Sequence, residues 1–261
     1  MLKQLQPDLG AVFWDEGLPQ RRVELQPAYK ETRKEMPKPM VPQLDFIQKL
    51  TPLLGFKNIS LPDTEADDLM GCYAIGANKR GIEVVLATND KDLYQLVGPK
   101  VKVYTTAKAD LATPKDGFAL LGEDRVIAKW EVPPSLIGDV LAIAGDSVDN
   151  IPGAGIGRKS AATLIREHGS LDKLLANLDK VKSERTREKL LTARDQILQN
   201  RKMVELDCAM DLPVAIDDLQ IKPDYPALIA ALEKCEFKSL LQEVRDEAAK
   251  AGALAQSELN L

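Results

Sequence analysis

IEVVLATNDKDLYQLV, residues 82–97, sets a short apolar run directly in front of two acids, Asp90 and Asp92. Its first part, IEVVLAT (82–88), is β-branched, has no helical period and is short enough for a buried strand. Working outward, GAVFW (10–14) has the same form and runs into Asp15, and VKVY (101–104) is a third such run. Short apolar runs alternating with helical patterns are the signature of strand-helix-strand units around a parallel sheet. In open parallel sheets ligands gather at the carboxyl ends of the strands, so these acids stand where a site is expected. Beyond about residue 134 the pattern becomes helix, glycine-rich turn, helix, which places a boundary near Pro133-Pro134. The expected division is an α/β core over 1–134, a helical region over 135–247 and a frayed tail over 248–261, where residues are small and polar.

Composition narrows the function classes. With 44% hydrophobic and 29% charged residues the chain is expected to be soluble and folded, and no apolar run approaches the roughly 18 residues of a membrane span. The start, MLKQLQPDLGAVFWDEG, has no basic segment followed by an apolar core, so no secretory signal is expected. Cys72, Cys208 and Cys235 are far apart and form no Cys-x-x-Cys pair, which argues against a disulfide framework or a zinc site and for a reducing cytoplasm. Net charge is -5, but it is segregated: Arg158–Lys202 holds twelve Lys/Arg against six Asp/Glu, leaving the remainder at -11. A phosphate-gripping surface beside a metal site has this pattern, and so does a solvated helix face.

The acids fall in four clusters: Asp15; Glu65, Asp67 and Asp68 in TEADDLMG; Asp90 and Asp92; Asp146 and Asp149 in GDSVDNIPG. Each has a purely structural reading as a helix cap or turn residue. Eight carboxylates recurring at element ends, with no Lys or Arg four residues away, point instead to convergence. Converging carboxylates repel unless cations neutralise them, and an oxygen-only donor set suits Mg²⁺ or Mn²⁺. Two such ions can activate a water and stabilise the leaving oxygen of a phosphodiester.

IPGAGIGRKSAATLI (151–165) reads as a turn of Gly153, Gly155 and Gly157 opening a helix near Arg158. Glycines allow close backbone approach, and a helix start offers N–H groups to a phosphate; Lys159 and Ser160 add a charge and a hydroxyl. This combination fits sequence-independent contact with a nucleic-acid backbone. His168 before Gly169 reads as a helix end, and Trp14 and Trp130 as packing.

TEADDLMG, TNDKDLYQLV and above all LAIAGDSVDNIPGAGIGRKSAATLI (141–165) resemble the motifs of the 5'-nuclease family, the flap endonucleases and the 5'-3' exonuclease domain of bacterial DNA polymerase I. The resemblance continues through AVFWDEGLPQRRVELQPAYKETR (11–33) and KWEVPPSLIGD (129–139) and spans about residues 7–215. It implies a parallel-sheet, PIN-like nuclease core with a helical helix-hairpin-helix DNA-binding region. It makes Asp15, Glu65, Asp67, Asp68, Asp90, Asp92, Asp146 and Asp149 the acids for two Mg²⁺ or Mn²⁺ ions. It also points to Tyr29, Lys30 and Arg33, on a helix at the base of an arch over the site, with Lys30 and Arg33 catalytic. Lys30 and Arg33 are three residues apart, so on a helix both can meet one phosphate, while Tyr29 can stack on a base.

At the glycine hairpin the resemblance implies DNA contacts from Gly153, Gly155, Gly157, Lys159 and Ser160. It extends to a K⁺ ion on loop carbonyls, where this sequence has one residue fewer between the first glycine and Gly-Ile-Gly. Family members have a further strand and aspartate ahead of the equivalent of Asp15, and no segment before Asp15 here supplies them; the chain resembles a stand-alone form. The implied activity is hydrolysis of branched, flapped or 5'-ended DNA, as in replication and repair. A relative that binds DNA structures with weakened turnover, and a ribonuclease with the same acids, remain open alternatives.

Overall fold

The computed structural model describes residues 1–33, 35–111, 113, 115 and 117–258. In chain order the first elements are α1 (Leu2–Leu5), β1 (Ala11–Phe13), α2 (Gln20–Leu25), α3 (Val41–Leu50), β2 (Lys57–Ile59), α4 (Ala66–Lys79), β3 (Val84–Ala87), β4 (Val101–Thr105) and β5 (Ala119–Leu121). Then come α5 (Glu123–Trp130), α6 (Ile137–Ala144), α7 (Arg158–His168), α8 (Leu171–Ala176), α9 (Glu184–Thr192), α10 (Arg194–Val204), α11 (Tyr225–Lys234) and α12 (Lys238–Glu258). They form two compact units, Met1–Trp14 with Glu35–Ser60 and Pro213–Leu261, and Asp15–Lys34 with Leu61–Leu212.

In the first unit β1 and β2 pair in parallel, Val12 opposite Asn58, and Trp14 N continues the ladder to Ile59 O at 3.0 Å. Leu228, Leu232 and Val244 of α11 and α12 form its small core against Leu50, Leu53 and Leu54. α12 runs through Glu258, across most of the segment whose composition predicts fraying; residues 259–261 of that tail lie outside the described residues.

In the second unit β3 and β4 are parallel, and β5 adds to β4 antiparallel. The expected single parallel sheet is therefore two sheets, one of them mixed. The runs read as strands become β1, β3 and β4; β2 and β5 have only three residues each and give no sequence pattern. α6 is apolar nearly all round and lies in the centre, with Ile137, Val140, Leu141, Ala142 and Ile143 buried. Leu86 and Val103 of the sheet share one core with Ile143, Ile165 and Ile197, so helices of the 135–204 region and the sheet pack together. α7 ends as its sequence predicts: His168 closes it and Gly169, at φ 86°, turns the chain in the left-handed region. Trp130 is buried, and Trp14 donates from Nε1 to Asn58 Oδ1 at 3.0 Å.

Candidate metal centre and nucleic-acid surface

The site begins at the start of α4. Leu69, Cys72, Tyr73, Ala74 and Ala77 turn one face of this helix inward and carry Asp68 with them; Glu65, just ahead of the helix, is buried as well. Two buried carboxylates need cationic partners, and Arg22 of α2, itself buried, supplies one. Its guanidinium donates to Asp68 Oδ2 and Oδ1 at 2.6 and 2.8 Å and to Glu65 Oε2, while Nε donates to Met203 O at 2.9 Å. Burial opposes the charge on Arg22, but Asp68 and Glu65 outweigh it and hold the guanidinium above its ordinary range. Glu65 also accepts from Tyr29 Oη at 3.1 Å and from Lys30 Nζ.

The second wall faces this one from the end of β3. Thr88 Oγ1 accepts from Asp90 N, and Asp90 Oδ1 accepts from Asp92 N, both at 2.9 Å, so the turn aims both acids to one side. Asp67 completes the wall, and Asp15 reaches it by accepting from Ala66 N through Oδ1 at 2.7 Å. Burial, then the charges of Asp90, Asp15 and Asp92, push the Asp67 carboxyl up to about 7. Asp92 is likewise pushed up to about 7, by burial first; Lys91 pulls down, and Asp90, Asp146 and Asp149 add to the rise. Asp92 Oδ1 is buried and accepts no hydrogen bond.

The loop after α6 brings the last pair. Asp146 and Ile151 exchange backbone hydrogen bonds of 2.8 and 2.6 Å, which closes the loop and directs Asp146 and Asp149 back toward Asp92. One carboxylate oxygen from each of Asp92, Asp146 and Asp149 lies within 4.8 Å of the others. Glu65, Asp67, Asp90, Asp92 and Asp149 line one cavity together with Arg22, Tyr29 and Lys30.

Three placements differ from expectation. Asp68 faces Arg22 and the Asp207 amide (2.9 Å) and is not among the residues that line the cavity. Tyr29 is 5% exposed with its hydroxyl on Glu65, which leaves no ring face for a base. Residues 27–32 form turns rather than a helix, and Lys30 sits at φ 56°, its N–H on Asp149 O. Lys30 nevertheless reaches Glu65, and Arg33 donates to Asp149 Oδ1 at 2.7 Å, so both cations border the acids. Sequence reasoning passed over Arg22, whose partners lie 43 and 46 residues away, and Lys91, whose place between two acids was a visible signal.

The hairpin follows directly. A Cβ at Gly153 would collide with the Ala144 carbonyl, so the close approach of 144–145 to 153 requires glycine there. Gly155 adopts φ 67°, and its carbonyl accepts from Lys189 Nζ at 2.5 Å. Gly157 caps α7, and Arg158, Lys159 and Ser160 of the first helical turn are exposed beside it.

Residues 1–131 match the family described as 5'-3' exonuclease, N-terminal resolvase-like domain, and residues 132–227 match 5'-3' exonuclease, C-terminal SAM fold. The chain belongs to the 5'-3' exonuclease family. It is 33% identical to the 5'-3' exonuclease of Aquifex aeolicus over 94% of this chain and 81% of that protein. It is 40% identical to a thermostable DNA polymerase I of Thermus thermophilus over 93% of this chain, and 36% identical to DNA polymerase I of Rhizobium leguminosarum over 90%. Of these two polymerases the chain spans 28% and 22% of the length, respectively. In fold it is similar to the bacteriophage T5 5'-exonuclease solved with zinc, at a TM-score of 0.66 and 20% identity, covering 94% of this chain and 86% of that one. This likeness shows the fold class of the chain: an α/β region with parallel strands and a helical C-terminal region. No helix among the described residues is long and apolar enough to cross a membrane.

Proposed function

We propose that this chain is a divalent-metal-dependent 5'-3' exonuclease and flap endonuclease that hydrolyses phosphodiesters in DNA. The observation that carries the reading is the convergence of Glu65, Asp67, Asp90, Asp92 and Asp149 on one cavity, with Asp146 within 4.8 Å of Asp92 and Asp149. The residues fit a hard divalent cation: all donors are carboxylate oxygens, and Asp92 Oδ1 is a buried oxygen that accepts no hydrogen bond. Asp92, Asp146 and Asp149 would hold one Mg²⁺ or Mn²⁺, and Asp15, Glu65, Asp67 and Asp90 the other. Bound there, such ions supply Lewis acidity toward the phosphate and a more acidic water.

The chain's own residues provide the rest. Arg22 fixes the Glu65 carboxylate from behind. Lys30 in the cavity wall, on Glu65, and Arg33 on Asp149 offer an ammonium and a guanidinium that can meet the scissile phosphate and steady the charge that grows on it. Tyr29 positions Glu65. Gly153, Gly155, Gly157, Lys159 and Ser160 grip the duplex backbone away from the cut, which keeps a division of labour near residue 134. K⁺ is left out of the proposal, since the Gly155 carbonyl already holds the Lys189 ammonium. Support also comes from a T5 flap endonuclease of the same fold solved as a pseudo-enzyme-product complex with DNA and metal ions.

The test is cleavage of a labelled 5'-flap DNA with Mg²⁺, with Mn²⁺ and with EDTA. The reading expects cleavage with either ion and none in EDTA. Tight flap binding without cleavage under any metal would favour a DNA-structure-binding relative, and preference for an RNA flap would point to a ribonuclease.

A further inference from the structure

Lys91 lies between two acids of the metal group, with its backbone anchored as the first residue of a turn: its carbonyl accepts from Tyr94 N at 3.2 Å. Its ammonium pairs with Asp146 Oδ2 and stands 3.7 Å from Asp92 Oδ1. The other oxygen of Asp146, Oδ1, is oriented by the backbone, accepting from Val148 N at 2.9 Å. Oδ2, the oxygen without a backbone partner, is the one Lys91 holds. Asp149 differs: Arg33 takes Oδ1 and leaves the other oxygen to the group. The Lys91 side chain, 39% exposed, has room to leave.

We propose that Lys91 is a displaceable counter-ion of the Asp92–Asp146–Asp149 group: a divalent cation binds by taking Asp146 Oδ2 from the Lys91 ammonium, so Lys91 sets the metal affinity of this half of the site. The proposal rests on the metal reading above and makes Lys91 a positioning residue. It keeps the loop acid in place when no ion does and swings out when one binds.

The experiment is Mn²⁺ binding to the full chain without DNA, followed by electron paramagnetic resonance, for the wild type and for Lys91→Met, Lys91→Gln, Lys91→Arg and Lys102→Met. Circular dichroism first establishes that each variant is folded, and two neutral replacements guard against the loss of one. Removing a charge-assisted contact that competes with the ion should tighten Mn²⁺ binding about tenfold in Lys91→Met and Lys91→Gln. Lys91→Arg should stay near wild type, and so should Lys102→Met, which removes an exposed charge on β4. Unchanged or weaker binding in the neutral variants overturns the proposal and leaves the metal reading standing. Equal tightening in Lys102→Met also overturns it, by showing a general charge effect. If the wild type binds no Mn²⁺, the metal reading falls and takes the proposal with it.

Discussion

The acid cavity and the glycine hairpin belong to the same compact unit and, in the function proposed, meet the same chemical group, a phosphodiester, by opposite means. Around the cavity the cations are each paired with an acid: Arg22 with Glu65 and Asp68, Lys30 with Glu65, Lys91 with Asp146, Arg33 with Asp149. At the hairpin the backbone is shaped by glycines, and Lys159 and Ser160 are exposed. The cavity side chains therefore carry fold and chemistry together, while the exposed hairpin side chains can be changed with the fold left alone. Substitutions in the two regions should separate along that line.

The largest effect is expected from Arg22→Met. It leaves Glu65 and Asp68 buried without their guanidinium, and breaking a buried ion pair from one side costs about 3–5 kcal/mol. Urea unfolding at neutral pH measures it. A loss below about 1 kcal/mol would mean that water or Lys30 replaces Arg22 easily, and that this wall is not held as described.

Asp92→Asn tests the opposite wall, where stability and activity should part. The Asp92 carboxyl sits at about 7 in the fold, well above its ordinary value. Ionising it costs folding free energy, so the cost is absent below about pH 4, grows as pH rises and is complete above 7. In EDTA at pH 8, Asp92→Asn should be more stable than the wild type by up to about 4 kcal/mol, and at pH 4 the gain should vanish. Flap cleavage in Mg²⁺ should fall at least about 100-fold. A variant that loses stability at pH 8 would show that Asp92 serves the fold rather than the ions.

Why some of this was legible and some not follows from the range of each interaction. The runs that became β1, β3 and β4 carry their own apolar signal, and the acids at their ends could be read from position. Arg22 could not, because its role depends on Glu65 and Asp68 across 43 and 46 residues. Asp68 looked like its neighbours for the same reason. Residues 27–33 have helical spacing, but the Lys30 amide bonds to Asp149 O, and that long-range contact favours a turn at φ 56°. In the 248–258 segment small residues suggested fraying, whereas alanine, the strongest helix former, lets α12 continue to Glu258.

The smallest effect, and the sharpest test of the contrast, is Lys159→Ala. Lys159 is exposed in the first turn of α7, so its removal opens no cavity and should change stability by less than about 0.5 kcal/mol. If it meets a phosphate, duplex affinity should drop several-fold, about equally for unrelated sequences, because a phosphate contact carries no base information. The slope of log affinity against log salt should flatten by about 0.9, one released counterion. Fluorescence anisotropy on two duplexes of unrelated sequence over a salt series, in EDTA to prevent cleavage, gives both quantities. Unequal losses on the two duplexes would mean base readout at the hairpin. An unchanged slope would move DNA contact away from Lys159 altogether, and the hairpin would then be shaped by glycine for its own close packing against 144–145, a structural element like the Arg22 wall.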